Sequence, residues 1–152
     1  MKTSNPPITI LLADDDPEDC MIIKEALEES QLKHAFHYVT DGQELLDYLH
    51  RQGDYREPKS SPCPALVLLD LNMPRKKGLE ALMEIKQDLR LRSIPIIVLS
   101  TSDAESDITR AYDLGANSFI TKNINFDALV DTMKTLSKYW FEMVKLPQIS
   151  TC

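Results

Sequence analysis

A chain of 152 residues, 43% of them hydrophobic and 27% charged, is long and apolar enough for one compact domain with a full core, which excludes a disordered acidic chain. Its net charge of −7 argues against general binding to nucleic-acid backbones. No apolar stretch approaches the roughly 20 residues of a bilayer span, and acids interrupt the short apolar run near the N-terminus, so a cytoplasmic protein with no membrane and no DNA partner is expected.

Along the chain, Ile8 to Ala13 is an apolar run of strand length that ends in three consecutive carboxylates, Asp14, Asp15 and Asp16. Pro17 to Glu29 carries Ile22, Ile23, Ala26 and Leu27 at helical spacing. A weaker strand, Ala35 to Val39, precedes a helix over Asp41 to Arg51 with Leu45, Leu46 and Leu49 on one face. Residues 53–64, GDYREPKSSPCP, read as a long surface loop. The run Ala65 to Leu69 ends in Asp70 and is followed by a helix over Gly78 to Leu89 bearing Leu82, Ile85 and Leu89. Ile96 to Leu99 ends in Ser100 and Thr101. A helix over Asp103 to Leu114 follows, with Ile108, Ala111 and Tyr112 on its apolar face and Gly115 placed to cap its C-terminus. A short strand, Ser118 to Ile120, leads to Lys122, and the last helix runs from about Asn125 with Phe126, Leu129, Val130, Met133, Leu136 and Trp140.

Strand and helix alternate five times, and three of the strands are apolar throughout. This is the pattern of parallel strands covered on both faces, so the expected fold is α/β, a doubly wound five-stranded parallel sheet between two layers of helices. In such sheets the functional crevice lies outside the carboxyl ends of the strands. Asp14, Asp15, Asp70, Ser100 and Lys122 all fall at those ends. Crowded carboxylates repel and raise one another's pKa unless a cation sits among them. Oxygen ligation alone points to a hard cation, and Mg²⁺ takes one or two carboxylates together with water and phosphate oxygens. Lys122 can meet anionic phosphoryl oxygens, Ser100 can donate to another, and Asp70 can be the nucleophile that forms an aspartyl phosphate.

The segments LLADDDPED, LVLLDLNMP, IPIIVLST and GANSFITK, in that order and spacing, resemble the motifs of response-regulator receiver domains over roughly residues 8–140. The resemblance implies a flavodoxin-like sheet of order 2-1-3-4-5 and a single domain over 1–152, with an extended C-terminal helix and tail at 141–152. It implies Asp70 as phosphoacceptor and Asp14 and Asp15 as the acidic pair. Asp15 is then the more direct ligand of Mg²⁺ and Asp14 acts through water, while Asn72 contributes its backbone carbonyl. Ser100 is the switch hydroxyl, Phe119 the aromatic switch position and Lys122 the phosphoryl-binding lysine. The long loop before the third strand and the ending YWFEMVKLP resemble stand-alone regulators of the cyanobacterial phytochrome-associated type. Expected partners are a sensor histidine kinase, of the phytochrome kind, or a histidine phosphotransfer protein, and the output is protein contact rather than an enzymatic activity. Two departures from the family pattern stand out. Lys77 occupies a position before Gly78 where an acid is common. Asn123 follows Lys122 where the family has a cis proline; a cis bond costs about 2.5–4 kcal/mol before residues other than Pro, so a trans or mixed bond is expected here.

Plainer readings stand beside these. Asp16, Glu18 and Asp19 suit the positive end of the first helix, and Pro17 its first turn. Ser100 could merely satisfy backbone at a strand end, and Phe119 could be core. His34 and His37 lack a third ligand, so no metal is assigned to them. The three cysteines are scattered without a Cys-x-x-Cys pair, which suits a reduced compartment, with Cys20 and Cys63 as packing residues. Tyr139, Trp140, Phe141, Met143, Val144 and Leu146 are too many apolar residues for one helix face. Either the last helix folds over its own domain or, as preferred here, the region forms a homodimer. Two other functions compete with the receiver: a receiver-fold binding module that takes no phosphate, and a Mg²⁺-dependent phosphatase. The second lacks a general acid because Asn72 stands two residues after Asp70.

Overall fold

The computed structural model describes residues 8–29, 34–122 and 125–147. Five strands alternate with five helices: β1 (Ile8–Ala13), α1 (Pro17–Glu29), β2 (His34–Val39), α2 (Gly42–His50), β3 (Leu66–Leu69), α3 (Gly78–Gln87), β4 (Ile96–Ser100), α4 (Glu105–Asp113), β5 (Ser118–Thr121) and α5 (Phe126–Lys138). The strands form one all-parallel sheet in the order β2-β1-β3-β4-β5.

Successive residues of a strand face opposite sides of a sheet, and both sides of this one are packed. Leu11, Ala13, Val67, Leu69, Ile96 and Val98 join Leu45, Leu49, Leu82, Ile85 and Ala111 in one core, under α2, α3 and α4. Ile10, Leu12, Leu66, Leu68, Ile97 and Leu99 join Ile23, Ala26, Leu27, Leu129 and Met133 in the other, under α1 and α5. Each such Leu or Ile contributes roughly 1.5–3 kcal/mol on burial, which is why β3 and β4 are apolar at every position except the terminal Ser100. β2 lies at the sheet edge and only Val39 of it is buried; this explains its weak hydrophobic signal.

The helix ends follow local chemistry. Asp16 Oδ1 accepts from the Glu18 N–H at 2.9 Å in front of Pro17, as the plainer reading of that acid expects. Asp41 caps α2 by accepting from the Glu44 N–H at 2.7 Å, and Glu44 returns a carboxylate oxygen to the Thr40 N–H at 2.7 Å. Gly115 holds φ of 108°, a left-handed value that favours glycine, and ends α4.

Three expectations need correction. α3 stops at Gln87, and Leu89, read as part of its apolar face, is 76% exposed. Asp88 turns extended, its carboxylate accepts from the Arg90 N–H at 2.8 Å, and Leu91 takes the buried place instead. Tyr112 and Phe126 are exposed rather than buried; the Tyr112 hydroxyl accepts from the Phe119 N–H at 3.1 Å on edge strand β5. Cys63 packs against the core under α2, α3 and α4 but is disulfide-bonded, against the expectation of reduced cysteines, whereas Cys20 is free and buried.

The C-terminal region packs in part over its own domain. α5 runs on into a π-helical turn, Tyr139–Met143, closed by the Val144 N–H on the Tyr139 carbonyl at 3.0 Å. Trp140 and Phe141 pack against the core under α1 and α5, while Tyr139 and Met143 stay exposed. Among the described residues no helix is long and apolar enough to cross a membrane.

Candidate functional site

β1 and β3 are neighbours in register, Ala13 opposite Leu69. The residue after each strand therefore emerges beside the other: the Asp14 N–H bonds the Val39 carbonyl at 3.0 Å and the Asp70 N–H bonds the Ala13 carbonyl at 2.9 Å. The ladder fixes both backbones and places two carboxylates at the mouth of the sheet, Asp14 1% and Asp70 6% exposed. Asp15 lies at the surface beside them. Asp14, Asp15 and Asp70 each offer an oxygen within 4.8 Å of the others.

Lys122 enters from two strands away. Its N–H bonds the Ser100 carbonyl at 2.6 Å past the end of β5, and its side chain, only 7% exposed, crosses the rim. The ammonium donates to Asp14 Oδ2 at 2.7 Å and Asp19 Oδ2 at 2.9 Å, and stands 3.6 Å from Asp70 Oδ2. The meeting of Asp15, Asp70 and Lys122 at one rim, on which the strand-end reading depends, is present. Asp19 is the residue that reading missed. Its place in the first turn of α1 already had a sufficient explanation in the helix dipole, and nothing local points to a lysine 103 positions away.

Burial sets the electrostatics. It is the largest influence on Asp70 and raises its pKa; the Lys122 charge opposes it, the Asp14 and Asp15 charges add to it, and the result is about 6. Burial also raises Asp14, against the hydrogen bond from Lys122. For Lys122 burial works the other way, but hydrogen bonds to Asp14 and Asp19 and the charge of Asp70 outweigh it and hold the ammonium charged well above its ordinary range.

The remaining predicted residues take these places. Asn72 is exposed, and its N–H reaches Asp70 Oδ1 at 3.4 Å. Its loop bends so tightly that a Cβ on Gly78 would lie 2.4 Å from the Asp70 carbonyl oxygen. Gly42 binds the far end of the same loop, its N–H on the Lys76 carbonyl at 3.0 Å, and Arg75 Nε donates to Asp41 Oδ2 at 2.8 Å; sequence reasoning assigned none of these tethers. Ser100 is fully buried, and its hydroxyl accepts from the Ser102 N–H at 3.1 Å, which leaves its own proton to donate. Phe119 is half-buried against the core under α2, α3 and α4. Asn123 falls outside the described residues, and with it the expectation about the peptide bond after Lys122. The donor set suits a hard divalent ion: every candidate ligand is oxygen, two of the three carboxylates are nearly dry, and a carboxylate cluster so placed is costly without added positive charge.

Comparison with known proteins accords with this arrangement. Residues 10–134 match the family described as response regulator receiver domain. The chain is 40% identical over 144 residues to response regulator Rcp1 of Synechocystis sp., covering 95% of this chain and 96% of that one. Among solved structures it superposes on the phosphorylated cyanobacterial phytochrome response regulator RcpA with a TM-score of 0.88 at 40% identity, covering 94% of this chain and all of that one. It also superposes on the Mn²⁺-bound form of Rcp1 with a TM-score of 0.85 at 39% identity, over 93% of this chain and all of that one. A five-stranded sheet of this order, an acid cluster at the ends of its first and third strands and a lysine at the end of its fifth, together with these matches, place the chain in the response regulator receiver family.

Proposed function

We propose that the chain is a single receiver domain over 1–152 that accepts a phosphoryl group on Asp70 in a Mg²⁺-dependent reaction and signals by protein contact. The observation that carries this reading is the position of Asp70, at the tip of a wholly apolar strand, between an acid pair and a buried ammonium 3.6 Å away. Asp15, Asp70 and the Asn72 backbone carbonyl would hold the cation, with Asp14 acting through water. Bound there, the cation supplies positive charge against the oxygens of the transferring group. An Asp70 carboxylate oxygen forms the new bond to phosphorus as the donor's phosphorus–nitrogen bond breaks, and the electron pair leaves with the imidazole nitrogen, which takes up a proton. Lys122 and the Ser100 hydroxyl neutralise and orient the phosphoryl oxygens. The half-buried Phe119 ring, next to Ser118 and Ile120 on an edge strand, is suited to follow Ser100 when that hydroxyl turns toward the phosphoryl group.

The donor is a histidine kinase, the usual source of phosphoryl groups for receiver domains, or a histidine phosphotransfer protein; the relatives named for phytochrome signalling support a phytochrome-type kinase. Exposed Tyr139 and Met143 on the C-terminal turn support a homodimer through that region. Met143→Glu is then expected to halve the mass in solution, and an unchanged dimer mass would remove that part of the reading.

The deciding experiment is incubation with a small acyl phosphate and Mg²⁺, followed by mass spectrometry. One phosphoryl group per chain on Asp70, absent in Asp70→Asn, is expected. No labelling would leave a receiver-fold binding module, and sustained phosphate release would leave a phosphatase.

A further inference from the structure

Asp19 is the unexplained member of the rim. Asp14 and Asp70 are placed by adjacent strands, but Asp19 belongs to α1 and has a sufficient structural role at the helix N-terminus without Lys122. Even so, it accepts from the ammonium at 2.9 Å, within hydrogen-bond distance, whereas Asp70 at 3.6 Å is outside it. Two of the three ammonium protons are thus committed to Asp14 and Asp19. Beside this contact lies a cavity of about 290 Å³ whose lining includes Asp16, Asp19, Ile22, Thr101, Lys122 and Leu129, which gives the ammonium room on the α1 side of the rim.

We propose that Asp19 is a positioning residue that holds Lys122 on the α1 side in the resting chain and competes with a phosphoryl group on Asp70 for the ammonium. The inference rests on the phosphoacceptor reading and adds a counter-ion to it. Three carboxylates share one ammonium, and a dianionic group on Asp70 must draw it across the rim. Each hydrogen bond the ammonium keeps to Asp19 is one it does not offer to the phosphoryl oxygens. Neutralising Asp19 then strengthens the hold on the phosphorylated form, because the resting form loses a charge-assisted hydrogen bond that the phosphorylated form does not make. Were Asp19 only a helix-terminal acid, its neutralisation would lower the melting midpoint slightly and leave the phosphoryl site unchanged.

Beryllofluoride serves as the phosphoryl mimic, titrated at Mg²⁺ concentrations shown to saturate each variant. Asp19→Asn is expected to bind it about three- to tenfold more tightly than wild type, while Asp19→Glu, which keeps the charge, stays near wild type. In the metal-free protein, the Lys122 ammonium ¹⁵N resonance is expected to move in Asp19→Asn and to stay in Asp19→Glu. Wild-type binding of beryllofluoride with no tightening in Asp19→Asn, or an unmoved ammonium resonance, overturns the role of Asp19 alone. A wild-type chain that binds no beryllofluoride overturns the phosphoacceptor reading, and the competition falls with it.

Discussion

Two charged clusters border the same strand ends and are built in opposite ways. Around Lys122, an ammonium with 7% of its side chain exposed is shared by Asp14, Asp19 and Asp70. On the other side, Arg75 with 61% of its side chain exposed meets Asp41, which also caps α2. Asp41 is itself buried, but solvent at the Arg75 end keeps the pair weak as an ion pair; its value lies in geometry, since it ties the loop bearing Asn72 to α2. The buried cluster is held at a cost, because removing charges from water is repaid only when each has a partner. Here there are more carboxylates than ammonium groups. The difference teaches that the first cluster stores an electrostatic strain that an added cation can relieve, while the second is scaffold.

Removing Lys122 tests the contrast most severely. Lys122→Met leaves Asp14 and Asp70 buried without a counter-charge and should cost about 3–5 kcal/mol, read as a fall of roughly 10 °C in the melting midpoint at pH 7. The loss should shrink toward pH 5, where the carboxyls take up protons.

Neutralising Asp70 acts in the opposite direction. Its folded pKa is raised to about 6 from 3.8, so between these values the folded chain binds more protons than the unfolded one, and stability falls as pH rises through that window. A shift of this size is on the order of 2–3 kcal/mol. Asp70→Asn in metal-free buffer should therefore melt several degrees higher than wild type at pH 7, and the gap should close near pH 4. Adding Mg²⁺ should raise the wild-type midpoint and leave Asp70→Asn nearly unmoved.

The smallest effects belong to the scaffold. Asp41→Ala removes a helix cap and should lower stability by about 1 kcal/mol, whereas Arg75→Ala should leave the midpoint within error. A large loss in Arg75→Ala would show that the Arg75–Asp41 pair is no mere tether.

Much of this architecture is legible in the sequence because burial imposes it. Runs such as Leu66–Leu69, apolar at every position, have no stable place except between two helical layers. The rim is legible for the same reason: a carboxylate directly after such a run has nowhere to go but the sheet's mouth. What the sequence conceals are contacts with no periodicity. Leu89 fits the α3 repeat, but Asp88 ends the helix before it. Asp19 has a complete local explanation that hides its distant one. The C-terminal turn changes its helical period at Tyr139, so a face counted at 3.6 residues per turn misplaces everything beyond it.

Lys122 follows Asp14 by 108 positions in the chain. Synthesis delivers the N-terminal half first, so both strands that bear the acids leave the ribosome before their counter-ion exists. Until the fifth strand emerges and docks, a nascent chain holds carboxylates with nothing to balance them. The rim closes only once the fifth strand has been made and docked, and a chain cut before Lys122 lacks the ammonium that balances its acids.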